Sequence, residues 1–169
     1  MTHFARAALA ASPFAEGSTK MHLLFVDDDQ DICDNVETWV EEIKDDRGQK
    51  RINDLTIVNT KNDAIKTILQ IIGDSKYAPL LILDLSVDGD KNFGFNVLDE
   101  LKQINSRSLQ MPIIVYSSSN DKNDIANSYL KFANSYVCKG PGAKQKERFR
   151  DLILYWTQTA VVLPHASLS

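Results

Sequence analysis

Leu80-Leu81-Ile82-Leu83-Asp84-Leu85, LLILDL, is the stretch that decides the fold. Four consecutive large aliphatic residues leave no polar side for solvent, so the run reads as a strand covered on both faces. Such strands belong to parallel sheets with helices on either side. Pro79 introduces the run and an acid interrupts it. Burying a carboxylate is expensive unless it is paired, so Asp84 asks for a partner.

Working outward, the same alternation recurs. MHLLFV (21–26) is a second compact apolar run, and ICDNVETWVEEI follows it with Ile32, Val36, Trp39, Val40 and Ile43 on one helical face. A charged loop at 45–54 leads to a strand, LTIVN (55–59), and Asn59 or Thr60 is placed to cap the helix AIKTILQII. Beyond Asp84 come a loop, SVDGDKNFGF (86–95), and an amphipathic helix, NVLDELKQI (96–104). Pro112 opens the strand IIVYSSS (113–119), a helix spans 121–132, NSYVCK (134–139) is a fifth strand, and AKQKERFRDLILYWTQ (143–158) is the last helix. Five rounds of strand and helix predict an α/β domain with a parallel sheet and five flanking helices.

The 169 residues suit one domain with short tails, assigned here to 21–160. Residues 1–20, rich in Ala and Ser, are read as a leader outside the fold, vector-derived or disordered, and 161–169 as a tail. A net charge of −4 recommends neither nucleic acid nor an anionic membrane as partner. No apolar run reaches the ~20 residues of a membrane helix. Cys33 and Cys138 match no metal-finger spacing and read as reduced thiols of a cytoplasmic protein.

Ligands of such sheets bind at the carboxyl ends of the strands, beside a topological switch point. There the first strand ends in Asp27 and Asp28, the third in Asp84, the fourth in Ser117 and Ser118, and the fifth in Lys139. Three carboxylates around one point repel unless a hard cation joins them, and oxygen-only ligation suits magnesium or manganese. A cation, a lysine and a hydroxyl donor together describe phosphoryl transfer. With no Ser-His-Asp or Cys-His set evident, the nucleophile is a carboxylate, and Asp84 on the central strand is the candidate. Asp29 and Asp31 read as first-turn residues of the helix rather than ligands.

These segments, VDDD, LILDL, IIVYSS and SYVCK, resemble the receiver domain of bacterial two-component response regulators over about residues 21–160. The resemblance implies a flavodoxin-like doubly wound sheet in the order 2-1-3-4-5. It implies Asp84 as phosphoacceptor from a sensor histidine kinase, Asp28 as a direct metal ligand, Asp27 acting through metal-bound water, and the backbone carbonyl of Ser86 as a further ligand. Ser117 would donate to a phosphoryl oxygen, Lys139 would pair with another, and Tyr136 would turn inward as Ser117 shifts. NDIANSYLKFANSYVCK and LILYWTQTAVVLP, with Tyr155-Trp156 and the ending VLP, are similar to single-domain regulators associated with phytochromes, which implies such a kinase and a homodimer. With no segment after the fifth helix and its tail, no DNA-binding or catalytic output domain is expected.

Two departures bear on the site. The loop after Asp84 is about two residues longer than the family pattern and has Asp88 where Pro is usual, and Gly140 intervenes between Lys139 and Pro141, where the family has a cis bond. An EF-hand reading of Asp84–Phe95 fails because the twelfth position is Phe, not Glu. A magnesium phosphohydrolase with an aspartate nucleophile would carry a second Asp where Ser86 stands. A receiver-like interaction module that is never phosphorylated is the remaining alternative.

Overall fold

β1 (Met21–Val26) and β3 (Ala78–Leu83) are buried at every position, as their apolar sequences require, and the one polar residue among them, His22, is paired with the Thr56 hydroxyl at 2.7 Å. The computed structural model describes residues 21–44, 48–73, 78–103 and 111–159, so the expectations for 1–20, 161–169 and the signature VLP lie outside the described residues. The remaining strands are β2 (Asp54–Val58), β4 (Ile113–Ser117) and β5 (Ser135–Cys138). All four strand pairings are parallel and the order is β2-β1-β3-β4-β5, as expected. Pro79 lies inside β3 rather than before it. It is tolerated because β4 pairs only from Leu81 onward, so the missing N–H faces no partner strand.

The helices are α1 (Gln30–Glu42), α2 (Lys61–Gly73), α3 (Phe93–Gln103), α4 (Lys122–Leu130) and α5 (Ala143–Leu154). Asp29 caps α1 by accepting from the Ile32 amide at 3.2 Å, so it is committed to the helix. Before α2, the Thr60 hydroxyl donates to Asp63 at 3.0 Å. α3 starts three residues earlier than its amphipathic pattern, at Phe93. After α5 the chain continues as a π-helical turn, Tyr155–Thr159, where the sequence predicts unbroken α-helix.

Because side chains alternate along a strand, the sheet has two cores. Leu24, Val26, Leu81, Leu83 and Val115 face α2 and α3 through Ile68, Val97 and Leu101. Phe25, Leu80, Ile82 and Tyr116 face α1 and α5 through Trp39, Val40, Phe149 and Ile153. Phe149 anchors the second core with edge-on contacts to Phe25 at 6.1 Å and Tyr116 at 6.0 Å. No described helix is long and apolar enough to cross a membrane.

The chain leaves β1 toward β2 and returns past β1 to β3, so the connections after β1 and β3 diverge. That divergence opens a crevice at the carboxyl ends of these two strands.

Candidate functional site

Asp27 follows β1 directly and is held there by its amide, which donates to the Val58 carbonyl at 3.1 Å. Asp84 follows β3, with its amide donating to the Val26 carbonyl at 2.9 Å. Continued ladder pairing thus draws two carboxylates of distant sequence into the crevice. Asp27 is 1% exposed and Asp84 6%. Asp28 is exposed at the rim. Ligand oxygens of Asp27, Asp28 and Asp84 all lie within 4.8 Å of one another.

Lys139 arrives from the far strand. Its amide donates to the Ser117 carbonyl at 2.7 Å, extending the β4–β5 ladder, and its side chain enters the crevice above the Tyr116 ring. Nζ stands 2.7 Å from Asp27 Oδ2 and 2.8 Å from Asp84 Oδ2. The bond to Asp84 is well formed, but the approach to Asp27 Oδ2 is out of line, leaving that buried oxygen without an aligned donor. Asp84 Oδ1 accepts from the Leu85 amide at 2.7 Å, and Asp27 Oδ1 from the Asp29 amide at 3.1 Å. Gly140 is buried because the backbone here passes against the first turn of α5, where a Cβ would lie 3.0 Å from the Lys144 carbonyl carbon. The described peptide bonds are all trans, the one before Pro141 included.

The electrostatics follow from burial. Desolvation pushes Asp27 from 3.8 up to about 6; Lys139 opposes this shift and the neighbouring Asp84 charge adds to it. Burial acts to lower the Lys139 ammonium, yet Asp84 and Asp27 together outweigh it and its pKa is raised. Cys33, whose thiol donates to the Asp27 carbonyl at 3.3 Å, is pushed up to about 11 by burial, which disfavours its thiolate.

Three carboxylates against one ammonium leave an excess of two negative charges in the crevice. Oxygen-only donors, this excess, and the unaligned buried Oδ2 of Asp27 fit a hard divalent cation.

Ser117 ends β4 beside β3 and is buried, its Oγ accepting from the Ser119 amide at 3.4 Å. Tyr136 is half-buried on β5, and its hydroxyl donates to the Ser119 carbonyl at 2.9 Å. Both therefore engage the loop after β4. Ser86 is half-buried two residues past Asp84.

The long loop after Asp84 holds what the sequence reading missed. Val87 and Asp90 form an antiparallel bridge around Asp88 (φ 54°) and Gly89 (φ 73°), a left-handed pair of the kind found in type I′ turns. Asp88 donates its amide to Asp28 Oδ2 at 2.8 Å, and Asp90 pairs with Lys61 at 2.7 Å. The Asp-Gly dipeptide is a known signal for such a turn, but its contacts lie far off in sequence.

Compared with solved structures, the chain is similar to the phosphorylated cyanobacterial phytochrome response regulator RcpA, at 19% identity and a TM-score of 0.68, over 85% of this chain and 98% of that one. It is similar to the Mn²⁺-bound form of the response regulator Rcp1, at 22% identity and a TM-score of 0.66, over 85% of this chain and 99% of that one. A response regulator in red light signalling of R. palustris, RPA3017, superposes with a TM-score of 0.67 at 22% identity, over 85% and 98% of the two chains. The fold is that of a receiver domain. No protein-family model and no curated protein sequence matches the chain.

Proposed function

We propose that this chain is a single-domain response regulator that accepts a phosphoryl group on Asp84 from the phosphohistidine of a sensor histidine kinase. The observation that carries the reading is Lys139 Nζ, brought from β5 to 2.8 Å from Asp84 where three carboxylates converge. An Asp84 carboxylate oxygen attacks phosphorus and the P–N bond to the donor imidazole breaks, its electron pair staying with the ring. Asp27 and Asp28, with Asp84 and the Ser86 carbonyl, would hold Mg²⁺ or Mn²⁺. When bound, that cation neutralises charge on the transferring phosphoryl oxygens. Lys139 is already oriented on Asp84, so it can move to a phosphoryl oxygen without crossing the site. Ser117 supplies a hydroxyl from the neighbouring strand end.

The added charge would be read through the loop after β4. Ser117 shifting toward the phosphoryl group would disturb the Ser119 amide, and Tyr136 reports on the same loop through the Ser119 carbonyl. That carries a local electrostatic event to the surface of α4, β5 and α5. The likeness to RcpA, named as a phytochrome response regulator, and to RPA3017, of red light signalling, favours a phytochrome-type kinase as donor; homodimerisation is proposed as one output.

Incubation with acetyl phosphate and Mg²⁺, followed by intact-mass measurement, tests the reading. An adduct of about 80 Da on the wild type and none on Asp84→Asn is expected. Equal labelling of both, or of neither, would return the chain to the class of unphosphorylated interaction modules.

A further inference from the structure

Asp28 is exposed, and an exposed carboxylate is rotationally free unless something holds it. The holder is the Asp88 amide, 60 residues away, at 2.8 Å from Oδ2. This donor is presented by a hairpin that costs energy to form. Asp88 lies in the left-handed region at φ 54°, which is unfavourable for a residue with a Cβ. Asp88 and Gly89 are exposed, and nothing approaches within 4 Å of where a Gly89 Cβ would be. Packing at the tip therefore does not hold the turn in place.

Lys61, the first residue of α2, grips the hairpin twice. Its amide donates to Asp88 Oδ2 at 3.3 Å, at a helix N-terminus where a carboxylate is favoured. Its ammonium pairs with Asp90 Oδ2 at 2.7 Å, while Asp90 Oδ1 is fixed by the Asn92 amide at 2.9 Å. Between them these bonds connect α2, the hairpin and Asp28 in one chain: Lys61 to Asp88 and Asp90, and Asp88 to Asp28.

We infer that Lys61 is a positioning residue for the divalent cation: it clamps the Val87–Asp90 hairpin so that the Asp88 amide fixes one oxygen of Asp28 and leaves the other for the metal. This rests on the reading of the crevice as a cation-dependent acceptor. Groups that orient ligating carboxylates raise metal affinity because the ligand gives up less freedom on binding. The Lys61–Asp90 pair is itself about one-third exposed on both sides, so it adds little to global stability. Its effect belongs in the binding constant.

The charge of Lys61 makes the test decisive. Removing it relieves Coulomb repulsion of the cation, which alone tightens binding, whereas loss of the clamp loosens it. Mn²⁺ affinity is measured by the EPR signal of free Mn²⁺ in wild type, Lys61→Met, Lys61→Arg, Asp90→Asn and Asp28→Asn, with thermal melts of each metal-free protein. The expected result is binding weakened about tenfold, the low end for outer-sphere partners, in both Lys61→Met and Asp90→Asn. Lys61→Arg should stay near wild type, and the melting temperatures should be unmoved. Tighter or unchanged binding in Lys61→Met would overturn the inference while leaving the acceptor reading intact. A wild type that binds no Mn²⁺, or binds it as Asp28→Asn does, would instead overturn the cation site and this role with it.

Discussion

Burial makes the ionisation of Asp27 costly, and its consequences can be measured. Its folded-state pKa of about 6 lies above the unfolded 3.8, so between these values the native state holds a proton that the unfolded chain has released. Stability of the metal-free protein therefore falls as pH rises through this window, and the cost is fully present above it. Asp27→Asn removes this dependence. The melting temperature of the variant relative to wild type, in EDTA, is expected to climb by roughly a few degrees between pH 4 and pH 7.5. A parallel pair of profiles would show that the Asp27 carboxylate is not strained. The same titration makes protons compete with the cation, so divalent binding should weaken below about pH 6. Asp27, Asp28, Asp84 and Lys139 were legible in the sequence because charged residues at the ends of apolar runs are conspicuous. Lys61 was not, because its partner Asp90 is 29 residues away and meets it only through a turn.

Gly94 has its reason at the level of elements. In the sequence it looks like a loop glycine, yet it sits in the first turn of α3, and its amide donates to the Leu85 carbonyl at 3.0 Å. A Cβ there would lie 2.7 Å from both the Asp84 carbonyl oxygen and the Leu85 Cα, inside backbone that cannot yield cheaply. Gly94→Ala should push α3 off the acceptor strand and cost about 1–3 kcal/mol by urea denaturation. It should also slow formation of the acyl-phosphate adduct, since Asp84 moves with its carbonyl. A change within about 0.5 kcal/mol would mean that α3 seats without this close approach. The early start of α3 is a loop-level feature too: Phe93 is buried in the same core as Val97, one turn on, and the Asp90 carbonyl accepting from the Phe93 amide sets that first turn. The π-helical turn at Tyr155–Thr159 lies beyond periodicity, in a segment where Arg51 reaches the Thr157 carbonyl from across the fold.

For the whole molecule, the crevice couples folding to the cation. Anything that binds the native state and not the unfolded chain stabilises it by mass action, about 2.7 kcal/mol at a concentration one hundred times Kd. Saturating Mg²⁺ is therefore expected to raise the melting temperature by roughly 5–10 °C. The rise should vanish in Asp84→Asn and Asp28→Asn, and an equal rise in those variants would assign the effect to nonspecific ionic screening. The architecture that makes this coupling possible was settled locally. Doubly apolar strands such as β1 and β3 can be hidden only between two helical layers, and alternating periods of two and 3.6 placed helices between them. Side-chain pattern is a local property, so the sequence alone determined the strands, the parallel sheet and which charged residues end them. What only the tertiary structure decided is how those ends meet: Lys139 between Asp27 and Asp84, Asp88 on Asp28, and Lys61 on the hairpin. Such contacts depend on the path of loops, and a loop's path is set by turn conformation and distant partners rather than by periodicity.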